Sequence, residues 1–223
     1  MSRNAPHILT VPGLNNSGER HWQTHWERTR TDTSRAELGL WDQPHRNSWV
    51  TRLNAEIEAS PKPVILVAHS LGCQAVAWWV ALQGQSYGWP VAGALLVAPP
   101  DVERDKGERF ATFRNLPDVF LPFPSIVVAS RNDHYAEYAH AAGLARGWGS
   151  FLVDAGHCGH INADSDIGEW QFGQRLLDRL IVAAQGREQP SDAVERRAAE
   201  RFLAARPVHG HDPERAERSV SSH

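Results

Sequence analysis

The chain has 223 residues, 41% of them apolar, enough to enclose a sizeable core in one domain. Its 26 acidic residues slightly outnumber its 23 basic ones, so the formal charge of −3 gives no electrostatic footprint for nucleic acid or an anionic membrane. No apolar run approaches the roughly 20 residues that span a bilayer, and "MSRNAPHILTVPG" at the start has one Arg and a very short apolar run, unlike a secretory signal, so a cytoplasmic protein with reduced Cys73 and Cys158 is expected.

"HILTV" (7–11) is apolar and β-branched and is ended by "PGLNNSG", which reads as a strand entering a loop. Residues 19–29 follow as a short amphipathic helix with Trp22 and Trp26 on one face. "AELGL" (36–40) is a weaker strand candidate. Residues 48–60 carry Trp49, Leu53 and Ile57 at helical spacing, with Ser48 as N-cap. "PVILVAH" (63–69) is a continuous apolar run, the pattern of a strand buried on both faces. A largely apolar helix over 72–84 comes next. Strands then follow at 91–100, 124–130 and 150–156, with helices at 135–146 and 167–185. This alternation predicts an α/β domain over residues 1–185: a mainly parallel sheet of about six strands with helices on both faces. From residue 186 to 223 the chain turns polar. There, Val194, Ala198, Phe202 and Leu203 suit one helix over 191–205, and the remainder reads as a disordered tail.

The strongest motif is "VAHSLGC" (67–73), which joins the most apolar strand to a helix. Small-x-Ser-x-Gly at such a junction is a nucleophile elbow. Ala68 takes the first small position and Gly72 the second. The tight turn after His69 lifts the Ser70 hydroxyl above the sheet edge and aims the N–H groups of the new helix, Leu71 first, at a developing oxyanion. Serine before a helix is commonly only an N-cap. The apolar strand and the small neighbours favour the nucleophile here.

A serine hydroxyl needs a base and a group that orients the base. Behind an elbow these follow in the order Asp/Glu, then His. Asp133 in "SRNDHY" and Asp101 in "APPD" each follow a strand; Asp154 ends one but lies close to the histidine loop. "DAGHCGHIN" (154–162) offers both His157 and His160 as base, and position alone does not separate them. His157, Cys158 and His160 are capable metal ligands, but no second Cys/His group completes a tetrahedron. His21 and His25 sit at i, i+4 without the intervening Glu of a metalloprotease. No metal is expected.

"VPGLNNSGERHWQTHWE", "VAHSLGC", "LVAPPDVE", "PFPSIVVASRND" and "GHINADSDIGEW" occur in order between about residues 7 and 184. Together they resemble the small serine hydrolases related to retinoblastoma-binding protein 9 and bacterial YdeN, a compact branch of the α/β-hydrolases. The resemblance implies a triad of Ser70, Asp133 and His160. It also implies a second oxyanion donor in the backbone N–H of Leu14, with Asn15, Asn16 and Ser17 lining the same loop. Gln171 stands where the related pattern favours Pro, outside the triad. His69 and His157 are further candidates for contact with substrate.

The expected activity is hydrolysis of a carboxylic ester of a small molecule through an acyl-enzyme, with no cofactor. An amidase or peptidase using the same triad, or a protein-binding module of the same fold, are the alternatives. No feature speaks for a protein partner or a homo-oligomer. No stretch is long enough for a large cap. Residues 100–123, with Phe110, Phe113 and Phe120, form either a partial lid or a cover for the core.

Overall fold

The computed structural model describes residues 5–83, 90–104, 107–116 and 118–187. The most apolar segment forms β3 (Val64–His69), all six residues of which are buried. β1 (His7–Val11) and β4 (Val91–Val97) pair with it on either side, with Val11 opposite Ala68 and His69 opposite Val97. β2 (Thr33–Arg35) extends the sheet beyond β1. β5 (Ser125–Ala129) and β6 (Phe151–Asp154) extend it beyond β4, in the order β2-β1-β3-β4-β5-β6. Every pairing is parallel, so each connection must cross over a sheet face.

Strand periodicity divides the core. Leu9, Leu66, Leu96 and Val127 point to one face, where α2 (Arg46–Glu58), α3 (Leu71–Leu82) and α4 (Tyr138–Trp148) cover them. Ile8, Ile65, Val67, Leu95 and Val128 point to the other, under α1 (Trp22–Thr29) and α5 (Gln171–Arg187). The predicted α/β-hydrolase architecture is therefore present, with a six-stranded sheet and no large cap among the described residues.

Element boundaries differ from the sequence reading in instructive ways. The second strand is the polar "TSR" at Thr33–Arg35, not 36–40. After Ala36 donates to the Thr10 carbonyl, the chain leaves the sheet through left-handed Gly39 and Leu40. Ser48 does not cap α2. That helix begins two residues earlier, after His45, and Arg46 N–H donates to the Thr112 hydroxyl. α4 starts at Tyr138 rather than 135 because the Asp133 carboxylate holds Tyr135 N–H in a preceding turn. α5 starts at Gln171, after left-handed residues Asp166, Gly168 and Trp170. In the excursion after β4, Phe110 and Phe113 are buried in the core around a short 3₁₀ turn (Glu108–Phe113). Phe120 lies exposed, its ring against Gly149. Apart from the end of α5, the polar segment 186–223 with its candidate helix at 191–205 lies outside the described residues.

Candidate active site

The carboxyl ends of β1, β3, β5 and β6 converge on Ser70. This residue has φ 53° and ψ −126°, a region that a non-glycine residue occupies only under constraint. Its amide donates to the Val97 carbonyl and its carbonyl accepts from Cys73 N–H, which pins the turn on both sides. Its hydroxyl makes no N-cap bond to α3 and is free for other chemistry. The turn is also crowded from behind. A Cβ on Gly72 would overlap the carbonyl oxygens of Val11 and Pro12. One on Gly13 would stand 2.8 Å from the Ser70 Cβ and 3.1 Å from the Leu71 nitrogen. The loop after β1 is thus pressed backbone-to-backbone against the elbow. Among the described residues, neither Leu14 N–H nor Leu71 N–H donates a hydrogen bond within the chain. Leu71 is the first residue of α3, whose opening N–H groups have no intrahelical acceptor.

His160 is 5% exposed and bridges the site. Its Nε2 is 2.8 Å from the Ser70 Oγ. Its Nδ1 is 2.9 and 3.0 Å from the two Asp133 carboxylate oxygens. A carboxylate only accepts, so Nδ1 carries the proton and the Nε2 lone pair receives the serine O–H. The Asp133 side chain is 4% exposed, and its Oδ1 also accepts Tyr135 N–H. Asp133 therefore serves both as a turn former and as the partner of His160.

The loop that carries His160 is held along its length. Ser130 Oγ accepts Cys158 N–H, and Asn132 Oδ1 accepts Gly159 N–H. The "SRND" segment thus binds both the backbone and the imidazole of the loop. From α1, the Trp22 indole N–H donates to the Ile161 carbonyl, and the Trp26 indole N–H to the Glu169 carbonyl. His69, 5% exposed, has Nε2 2.9 Å from the His160 carbonyl, so that nitrogen donates. Burial keeps His69 well below the usual histidine range, reinforced by neighbouring His21 and His160. Burial likewise lowers His21 to about 3, with the Arg35 charge adding to the effect. The His21 ring is 4.7 Å from that of His69, so two neutral imidazoles lie beside His160.

The competing candidates are engaged elsewhere. Asp101 caps its own turn by accepting N–H groups from Glu103 and Arg104. Asp154 pairs with Arg131 at 2.6 Å and accepts Gly156 N–H. His157 is exposed, on the Asp154 side of the loop. The Cys158 thiol donates to the Ala155 carbonyl, and burial raises its pKa. Cys73 is buried and its thiol is also pushed up. Asn15 is exposed, whereas the Asn16 carboxamide oxygen accepts from Ser17 N–H and Arg35. Two further residues, not signalled by any motif, matter here. Tyr135, 40% exposed, has its ring 4.4 Å from His160, a placement signalled only by its closeness to Asp133. Arg35 contacts the loop after β1, and nothing in its own neighbourhood of sequence announces that.

Comparison with known proteins bears on the family and the fold. Residues 8–179 match the family described as Serine hydrolase. A YdeN-like hydrolase from Pectobacterium atrosepticum is 34% identical, with a TM-score of 0.71 over 81% of this chain and 92% of that one. The ydeN product of B. subtilis is 18% identical, with a TM-score of 0.62 over 79% and 99% of the two chains. Est1E from Butyrivibrio proteoclasticus shares the fold at 11% identity, with a TM-score of 0.60 over 79% and 89%. No functionally curated protein matches the chain. Over residues 8–179 the chain carries the sequence pattern of this family and, at a TM-score of 0.71, shares the fold of a 34% identical YdeN-like hydrolase; it belongs to the serine hydrolase family.

Proposed function

We propose that the protein hydrolyses carboxylic esters of small molecules through an acyl-enzyme on Ser70. The observation that carries this reading is the continuous hydrogen-bonded chain Asp133–His160–Ser70, with the serine on a strained elbow. His160 Nε2 takes the hydroxyl proton as Ser70 Oγ attacks the ester carbonyl carbon. Asp133 holds the imidazole tautomer and stabilises the imidazolium that forms. The carbonyl oxygen becomes an oxyanion between the N–H groups of Leu71 and Leu14, neither of which donates a hydrogen bond among the described residues. His160 then returns the proton to the departing alkoxide, which leaves as the alcohol. Water enters, gives its proton to His160 and attacks the acyl carbon. Collapse of the second tetrahedral intermediate frees the carboxylic acid and restores Ser70 with the proton from His160. Every step uses the chain's own groups and water.

A mutant series on p-nitrophenyl ester turnover tests the proposal. Ser70→Ala, Asp133→Ala and His160→Ala are each expected to lose on the order of 10³-fold in kcat, non-additively. His157→Ala is expected to stay near wild type. Loss in His157→Ala with normal turnover in His160→Ala would overturn the assignment.

A further inference from the structure

The loop carrying the second oxyanion donor is a tight turn with an unusual support. Gly13 carbonyl accepts Asn16 N–H at 3.1 Å, which makes Leu14 and Asn15 the central residues of a four-residue turn. Asn15 and Asn16 both have φ 63°. Two consecutive left-handed non-glycine residues do not persist without outside constraint. Asn15 N–H donates to the Trp41 carbonyl, which ties one side of the turn.

The other side is held by Arg35, at the carboxyl end of the edge strand β2. Its Nη1 donates to the Asn16 carboxamide oxygen and to the Ser17 carbonyl, both at 3.0 Å. Its Nη2 donates to Thr24 Oγ1 at 2.6 Å and to Glu27 Oε2 at 2.7 Å, and its Nε is shared between the two Glu27 oxygens. All five N–H groups of the guanidinium are thus used. The pair is largely enclosed, with side-chain exposures of 18% for Arg35 and 17% for Glu27. Glu27 is fixed in turn by the Thr10 hydroxyl of β1. Two strands and α1 therefore grip the closing end of the turn through one planar cation.

We infer that Arg35 is a positioning residue for catalysis, acting through Asn16 and Ser17 to fix the Leu14 N–H toward the oxyanion beside Ser70. The inference rests on the proposed serine mechanism. Arg35 touches neither substrate nor the reacting atoms. It holds the donor where charge develops, so its loss should be felt in the transition state more than in substrate binding. A lysine at this position keeps the charge opposite Glu27 but has no planar fork to span Asn16, Ser17, Thr24 and Glu27 together.

The test compares Arg35→Met, Arg35→Lys and Asn16→Gly for melting temperature, kcat and KM on a p-nitrophenyl ester, and inhibition by a trifluoromethyl ketone, whose adduct forms an oxyanion. Asn16→Gly removes the carboxamide oxygen while tolerating φ 63°, so it remains informative if Arg35→Met does not fold. The expected result is a kcat loss on the order of 10²-fold in Arg35→Met with KM changed less than about threefold. Ketone affinity should weaken in parallel. Arg35→Lys is expected to recover melting temperature but not kcat, and Asn16→Gly to lose kcat at wild-type stability. The inference is overturned if folded Arg35→Met and Asn16→Gly keep kcat within about threefold of wild type, or if kcat simply tracks melting temperature across the set. A Ser70→Ala variant run alongside separates the two claims. Its retained turnover would sink the serine mechanism, whereas its inactivity beside fully active Arg35 and Asn16 variants would sink only the role of Arg35.

Discussion

At the scale of single residues, the site depends as much on what is missing as on what is present. Gly72 has no room for a side chain, because the carbonyls at the end of β1 occupy the space where a Cβ would go. Backbone atoms cannot move aside as a flexible side chain would. Gly72→Ala is therefore expected to cost about 3 kcal/mol of stability, at the upper end of ordinary overpacking, and to displace Ser70 from His160. Chemical denaturation together with ester turnover checks both effects. This crowding was legible in the sequence, since the small residue of "SLG" is part of what defines an elbow. The choice between His157 and His160 was not legible from spacing. It depends on the path of a loop with left-handed turns at Gly156, Gly159 and Ile161, which sends one imidazole inward and leaves the other in solvent. Arg35 was also invisible, because its partners at 16, 17, 24 and 27 become neighbours only once β2 lies beside β1.

At the scale of elements, α1 connects the packing of the core to the loop that carries His160. The spacing of Trp22 and Trp26 marked a packing face, and both rings are fully buried against Trp170. Periodicity could not show that both indole N–H groups also hold the loop bearing His160. Trp22→Phe keeps most of the apolar ring but leaves the Ile161 carbonyl without its donor. It should cost about 1–3 kcal/mol in thermal or denaturant unfolding and lower kcat more than KM, as the His160 loop loosens. β2 is the opposite case. The apolar run at 36–40 marks burial rather than pairing: Ala36 and Leu38 are buried outside any strand. The actual strand, "TSR", is a short edge strand whose backbone pairing needs no apolar side chains. The central strands were read well because burial on both faces leaves an unbroken apolar run.

At the scale of the whole molecule, the two-faced sheet brings neutral histidines into its interior. His21 and His69 have folded-state pKa values below the unfolded value of about 6.5 because burial disfavours the imidazolium. Below pH 6.5 the unfolded chain binds protons at these sites that the folded chain does not. Stability is thus fully present above pH 6.5 and falls as pH drops toward the folded values. Each group contributes a slope on the order of 1 kcal/mol per pH unit across that window. Denaturant melts between pH 7.5 and 4.5 should show this decline, and it should become shallower in a folded His21→Gln variant.

The central claim is that Ser70, activated by His160, is the nucleophile. It is tested most directly by treating the folded protein with a fluorophosphonate and locating the adduct by peptide mass spectrometry. The account predicts a single stoichiometric adduct on Ser70, absent in Ser70→Ala and strongly slowed in His160→Ala. Folded protein that remains unlabelled, or an adduct on another residue that accounts for loss of turnover, would contradict it.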